Sequence, residues 1–69
     1  MLMRMIYWTR TDPRTCEKIG SSDAALLGLS EGETILLRTP IGEAKRTIRE
    51  VRTDGPYREV VFEPFTADG

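Results

Sequence analysis

The side chains that could support catalysis in this chain are carboxylates, tyrosines and a single cysteine, Cys16, and the chain contains no histidine. Histidine is the usual general base near neutral pH, so Cys16 has no visible group to activate it as a nucleophile. Glu31 and Glu33 are close in sequence, but on a turn they are expected to face solvent rather than to form a general acid/base pair. We therefore expect a protein that is not an enzyme.

Metal and cofactor sites are not indicated either. One cysteine permits neither an internal disulfide nor a multi-cysteine metal site, and the other usual zinc ligand, histidine, is missing. Residues 20–22, Gly-Ser-Ser, could cradle an anion at the start of a following helix. However, no Walker-type lysine and serine follow them. We expect no cofactor and no bound metal.

Size and composition indicate one small soluble domain. The chain has 69 residues, 39% of them hydrophobic and 30% charged, with a net charge of −1. A nearly neutral chain has no global field to hold nucleic acid or an anionic membrane. The first eight residues are rich in apolar side chains, but Arg4 interrupts them and they are too few for a signal core or a membrane span. We expect a single cytoplasmic domain over residues 1–69, with residues 66–69 frayed, no membrane association and no sequence-specific nucleic-acid binding.

The pattern of apolar residues and turn signals predicts an α+β fold. Strands are expected over residues 1–8, 16–19, 34–39 and 57–62, with a return strand that ends near Val51. Residues 24–27 are expected to form one short helix, capped by residues 20–23 and stopped by Gly28 in the left-handed conformation. The result is a small antiparallel sheet of three to five strands with one short helix.

The faces of these strands follow from side-chain alternation. In the first strand, Arg4 makes one side mixed, so the opposite side, with Met3, Met5 and Tyr7, is predicted to face the core. An alternative is that Tyr7 and Trp8, with Arg4 and Arg10, form a platform for base stacking. In the later strands, the predicted core positions are Ile35, Leu37, Ile48, Val51, Val60 and Phe62.

Two turns and one loop are expected between these strands. Pro40 suits the second position of a β-turn, and Gly42 can take the positive φ that closes a hairpin. Residues 54–56, Asp-Gly-Pro, mark a second turn. Residues 9–15 contain Asp12-Pro13 and are expected to form a loop.

Charge is distributed unevenly despite the neutral total. The second hairpin is basic, with Arg38, Lys45, Arg46, Arg49, Arg52 and Arg58, whereas the helix and the turn after it are acidic, with Asp23, Glu31 and Glu33. One interpretation is a solvated sheet face crossed by ion pairs, each worth about 0–1 kcal/mol. The other is a docking surface for an acidic protein partner.

Several short motifs between residues 19 and 52 occur in an order that resembles a known family. The matching residues are Ala25-Leu26-Leu27-Gly28, Glu31-Gly32-Glu33, Thr39-Pro40-Ile41-Gly42-Glu43, and Ile48 with Glu50-Val51. This series resembles the C-terminal domain of the bacterial GreA/GreB transcript-cleavage factors and of the related regulator of nucleoside diphosphate kinase. The family pattern has Ser-Pro where this chain has Gly20-Ser21, and a basic residue where it has Ala24.

The resemblance implies an FKBP-like α+β domain that docks on RNA polymerase near the entrance of the secondary channel and acts in transcription elongation. In the cleavage factors, a separate coiled-coil hairpin presents acidic residues that help to hold a metal ion. Residues 1–18 are too few to form such a hairpin at 1.5 Å rise per residue, so no cleavage role is expected of these 69 residues. The resemblance assigns partner binding to Gly20, Ser21, Ser22, Asp23, Ala24, Pro40, Ile41 and Gly42.

Two further expectations accompany this one. Residues 57–65 continue past the usual end of the family, and we expect this extension and the first strand to complete the core. The alternative function is a general protein-interaction module or a homodimer that kept the fold but not polymerase binding, because short domains with exposed edge strands can pair with a copy of themselves.

Overall fold

The computed structural model describes residues 3–66, except for the side chain of Ala25. Its elements are β1 (Met5–Tyr7), β2 (Lys18–Ser21), a 3₁₀ turn (Ala24–Leu26), β3 (Thr34–Thr39), β4 (Gly42–Asp54) and β5 (Tyr57–Phe62). Met1 and Leu2, predicted to begin the first strand, and residues 67–69, predicted to fray, lie outside the described part.

The five strands form one small mixed sheet in the order β1-β3-β4-β5-β2, with almost no helix. The predicted number of strands is confirmed, but the prediction that all strands are antiparallel is wrong for β1, which pairs in parallel with β3. Parallel neighbours require a long crossover connection. Here residues 8–33, which include β2 and the 3₁₀ turn, supply that connection.

The helix predicted over residues 24–27 is shorter than expected, because only the single turn Ala24–Leu26 forms. Its backbone bonds span three residues, from Leu26 N–H to the Asp23 carbonyl and from Leu27 N–H to the Ala24 carbonyl. Asp23 makes no side-chain cap bond, so the predicted capping is also wrong at this position. So short a segment cannot be stable by propensity, and buried Leu26, 2% exposed, fixes it to the sheet.

The core lies where the alternation of the later strands predicts it. Ile35 and Leu37 of β3 and Val60 of β5 are fully buried. One contiguous cluster joins both halves of the sheet and contains Ile6, Cys16, Ile19, Leu26, Leu29, Ile35, Leu37, Ile48, Val60 and Phe62. Residues from β1, β2 and β5 therefore complete the core, as expected for the extension and the first strand.

The prediction for the faces of β1 is wrong. Ile6 is buried, whereas Met5 and Tyr7 are 40% and 68% exposed. Arg4 can share the side of Ile6 because it lies before the strand, where its Nε atom reaches 3.1 Å from Glu33 Oε1 and stays half exposed. A long charged side chain at the end of a strand can thus leave the core without reversing the strand.

A β-bulge at Arg49 allows Ile48 and Val51 to face the same core, although residues three positions apart on a regular strand point to opposite faces. Ile48 pairs with Phe62 and Glu50 pairs with Val61, so Arg49 is the extra residue. The bulge reverses the side-chain alternation of β4. As a result, Ile48 is buried and Val51, three positions later, also packs against the core.

Candidate protein-binding surfaces

The structure divides the predicted partner-binding residues between two ends of β4. Gly42 is the first residue of β4, adjacent to the exposed turn residues Pro40 and Ile41. Ser21 pairs with Arg58, which in turn pairs with Thr53 near the end of β4. We call residues 40–42 the hairpin turn and residues 20–24 the polar segment; they do not form one continuous surface.

The hairpin turn is held in one shape by the residue that precedes it. Thr39 Oγ1 accepts a hydrogen bond from Ile41 N–H at 3.3 Å and donates one to the Gly42 carbonyl at 3.2 Å. Gly42 has φ +152°, as predicted, a region that other residues rarely adopt. This rigid turn presents Ile41 with 70% of its surface exposed.

The polar segment has a different character. Gly20 and Ser21 end β2, and Ser22, Asp23 and Ala24 are exposed. Ser21 Oγ accepts a hydrogen bond from Asp23 N–H at 3.0 Å, so it is used within the segment. The Asp23 carboxylate at the start of the 3₁₀ turn would also repel an anion, which argues against the anion cradle considered for residues 20–22.

Two cations of the basic hairpin predicted from the sequence, Arg38 and Arg52, are paired with carboxylates. Arg38 Nε lies 2.8 Å from Glu43 Oε2, and a hydrogen bond with Tyr7, followed by Glu43, raises the pKa of Arg38. Arg52 makes two 3.0 Å bonds to Glu50, which lower the pKa of that carboxyl. The ion-paired sheet face is therefore the interpretation that the structure supports for these residues.

The prediction that Arg46 belongs to a solvated or partner-binding basic face is wrong, because Arg46 is buried, with 4% of its surface exposed. Its guanidinium donates to the carbonyls of Pro13 (2.9 Å), Cys16 (2.6 Å) and Glu63 (2.9 Å). It also lies over the rings of Phe62 and Phe65, 5.0 and 5.8 Å from their centroids. Arg46 is thus a structural residue that joins the loop over residues 9–15 and the C-terminal tail to β4.

An apolar cleft beside the hairpin turn was not predicted. It encloses about 410 Å³ and is lined by Tyr7, Trp8, Thr9, Arg38, Thr39 and Pro40. The alternative of a stacking platform groups Tyr7 and Trp8 with Arg4, but Arg4 lies before β1, bound to Glu33, and does not line this cleft. The cleft arises from the parallel β1–β3 pairing, which sequence alternation does not reveal.

Cys16 and Glu33, two of the side chains that could support catalysis, make contacts within the fold. Cys16 is buried, and its Sγ donates to the Lys18 carbonyl at 3.3 Å. Glu33 accepts from Ser30 N–H and pairs with Arg4. Within residues 3–66, no three His, Cys, Asp or Glu side chains lie close enough together to hold a metal ion.

The described segment also contains no helix that is long and apolar enough to cross a membrane. In comparisons with known proteins, the chain matches no protein-family model, no curated protein and no solved structure.

Proposed function

We propose that this chain is a non-catalytic, FKBP-like binding domain of the Gre C-terminal type that docks on RNA polymerase near the secondary channel and modulates elongation in the cytoplasm. The observation that carries the proposal is the ordered series of motifs between residues 19 and 52. No single motif is specific, and the resemblance rests on their shared order and spacing.

The backbone conformations of the glycines in three of the motifs support the proposal. Gly28, at the end of the Ala-Leu-Leu-Gly motif, has φ +78°, and Gly32, inside the Glu-Gly-Glu motif, has φ +84°. Gly42 closes the hairpin between β3 and β4. Each of these three motifs therefore supplies a turn that its glycine makes possible, which is a physical reason for this part of the pattern.

We assign the centre of the docking contact to the hairpin turn. Its shape is fixed by Thr39, so little ordering entropy is lost on binding. It also carries Ile41 as an exposed apolar anchor, whereas the polar segment offers no large apolar side chain. The polar segment would contact the partner only if that partner extends along the full length of β4.

A pull-down with core RNA polymerase tests this proposal. The unmodified chain is expected to be retained, and Ile41→Asp is expected to lose retention at unchanged stability. Leu27→Asp is the matched control, because Leu27 is 51% exposed and lies outside both segments. Absence of retention of the unmodified chain, or equal retention of both variants, contradicts the assignment.

A further inference from the structure

We infer that β1 is a self-association edge, through which two copies of this chain pair to form a symmetric dimer. β1 is the terminal strand of the sheet formed by the described residues. The inference does not depend on polymerase binding. It rests on the backbone bonding, the side chains and the charge of this one edge.

The backbone of β1 leaves one side available for pairing. The Arg4 carbonyl accepts from Leu36 N–H at 2.9 Å, and Trp8 N–H donates to the Arg38 carbonyl at 2.8 Å. Because alternate residues of a strand bond to opposite sides, the N–H and C=O groups of Met5 and Tyr7 point away from β3. These groups form the row that an added strand would bind.

The side chains at this edge are apolar and accessible. Met3, Met5 and Tyr7 are 41%, 40% and 68% exposed. Native proteins protect a sheet edge by keeping the edge strand very short or by placing lysine, proline or a bulge on it, and of these devices β1 has only the short length. β2, the opposite edge, carries exposed Lys18, but β1 has no charged residue or proline among Met5–Tyr7.

A second copy of the chain is the occupant that fits this edge. An antiparallel two-fold pairing centred on Ile6 places Met5 opposite Tyr7 of the second copy, and Tyr7 opposite Met5 of the second copy. Met5 and Tyr7 are the residues whose backbone N–H and C=O groups point away from β3, so each Met5–Tyr7 pair between the copies can exchange two hydrogen bonds. The same contact is made twice, as an isologous interface requires.

The same pairing brings the Met3 side chain of the second copy close to the apolar cleft. Met3 precedes Met5 by two residues, so this pairing brings Met3 of the second copy past Tyr7 towards the bend at Thr9, beside the cleft that Trp8 and Pro40 help to line. A flexible thioether suits an irregular apolar space and makes favourable contacts with aromatic rings. Each copy therefore contains both the methionine and the cleft that receives it.

Charge does not oppose this pairing. Each chain has a net charge of −1. Arg38, the cation that lines the cleft, is already paired with Glu43, so two copies do not bring unpaired like charges together there. Because β1 has only three residues, the interface is small, and we expect a weak dimer with Kd on the order of 100 µM.

Sedimentation equilibrium over a range of concentrations tests the inference. The unmodified chain is expected to move from 7.8 kDa towards twice that mass as its concentration rises to about 1 mM. Met5→Pro removes an outward N–H but no bond to β3, and Tyr7→Lys adds a charge to the edge. Each is expected to raise Kd at least about tenfold.

Tyr57→Lys is the matched control, because Tyr57 is 56% exposed at the other hairpin. It is expected to leave Kd unchanged. Thermal unfolding of all three variants identifies any that fail to fold, and Tyr7→Lys, which leaves the backbone intact, serves if Met5→Pro does not fold. A filtered NOE between Met5 and Tyr7 in a mixed labelled and unlabelled sample is expected to show the intermolecular contact. A monomer at about 1 mM, or a dimer that persists in the folded edge variants, would overturn the inference.

Discussion

The Nη1 atom of Arg46 lies 2.6 Å from the backbone carbonyl oxygen of Cys16. This contact joins a residue in the middle of β4 to the segment just before β2. The two other carbonyls bound by the same guanidinium belong to Pro13 and Glu63, so one side chain fixes two segments that have no regular structure. A charged group takes the place of additional hydrophobic core in a domain of 69 residues.

Replacement of Arg46 is expected to cost a large part of the stability of this domain. Arg46→Met leaves three carbonyl oxygens without their donor, and we expect a loss of about 3 kcal/mol in the free energy of unfolding. A domain of this length has about 3–10 kcal/mol in total. Chemical denaturation measures the change, and Lys45→Met, at an exposed neighbouring position, should stay within about 0.5 kcal/mol. Equal effects of the two substitutions would contradict the structural role of Arg46.

The pair of Glu50 and Arg52 predicts a pH dependence of known sign. Because Arg52 stabilises the charged carboxylate, the pKa of Glu50 lies below its ordinary value of 4.5. A carboxyl group whose pKa is lowered by folding stabilises the folded state at pH values above its unfolded-state pKa. This contribution is lost as the pH falls through the folded-state pKa. NMR titration of the carboxyl carbon should give a higher midpoint in Arg52→Gln than in the unmodified chain. Lys45→Gln should not produce this increase, and an unchanged midpoint in Arg52→Gln would show that the pair does not form in solution.

Gly28→Ala tests the turn that ends the Ala-Leu-Leu-Gly motif. Gly28 has φ +78°, and an added Cβ would meet Arg4 Nη1 at an ordinary contact distance of 3.6 Å, so only the backbone conformation opposes the substitution. Left-handed backbone costs a residue with a Cβ about 1–2 kcal/mol, so a loss of that size is expected in thermal or chemical unfolding. Gly20→Ala, at a position without positive φ, should change stability by less than about 0.5 kcal/mol. If both glycines tolerate alanine equally, the turn geometry is not the reason for this motif.

Removal of β5 is expected to abolish cooperative unfolding. β5 lies between β4 and β2 and contributes Val60 and Phe62 to the core. A chain ending at residue 56 should therefore show no sharp thermal transition. A chain ending at residue 63 keeps β5 and the Glu63 carbonyl but loses the Phe65 ring over Arg46, so its transition should remain at a lower temperature. An unchanged melting curve for the shorter chain would rule out the contribution of β5 to the core.

Sequence patterns predicted best the parts of this fold that depend on local chemistry. Alternation identified Ile35 and Leu37 as core residues, and the conformational freedom of glycine identified Gly28 and Gly42 as turn positions. These properties depend on a residue and its near neighbours.

Features that depend on tertiary structure could not be predicted in this way. Arginine is rarely buried without a carboxylate, so nothing local indicated that carbonyls from two distant segments would surround Arg46. Met5 and Tyr7 are compatible with either face of a strand, and only the pairing of β1 with β3 decides that they are exposed. The hairpin turn was predicted, but the cleft beside it required that parallel pairing.

NMR titration of the labelled chain with the coiled coil at the rim of the polymerase secondary channel tests polymerase docking. We expect saturable shifts that are largest in residues 39–43, with any others confined to residues 20–24, and their loss in Ile41→Asp. An unchanged spectrum at saturating coiled coil would contradict polymerase docking and leave a general interaction module as the function of this fold.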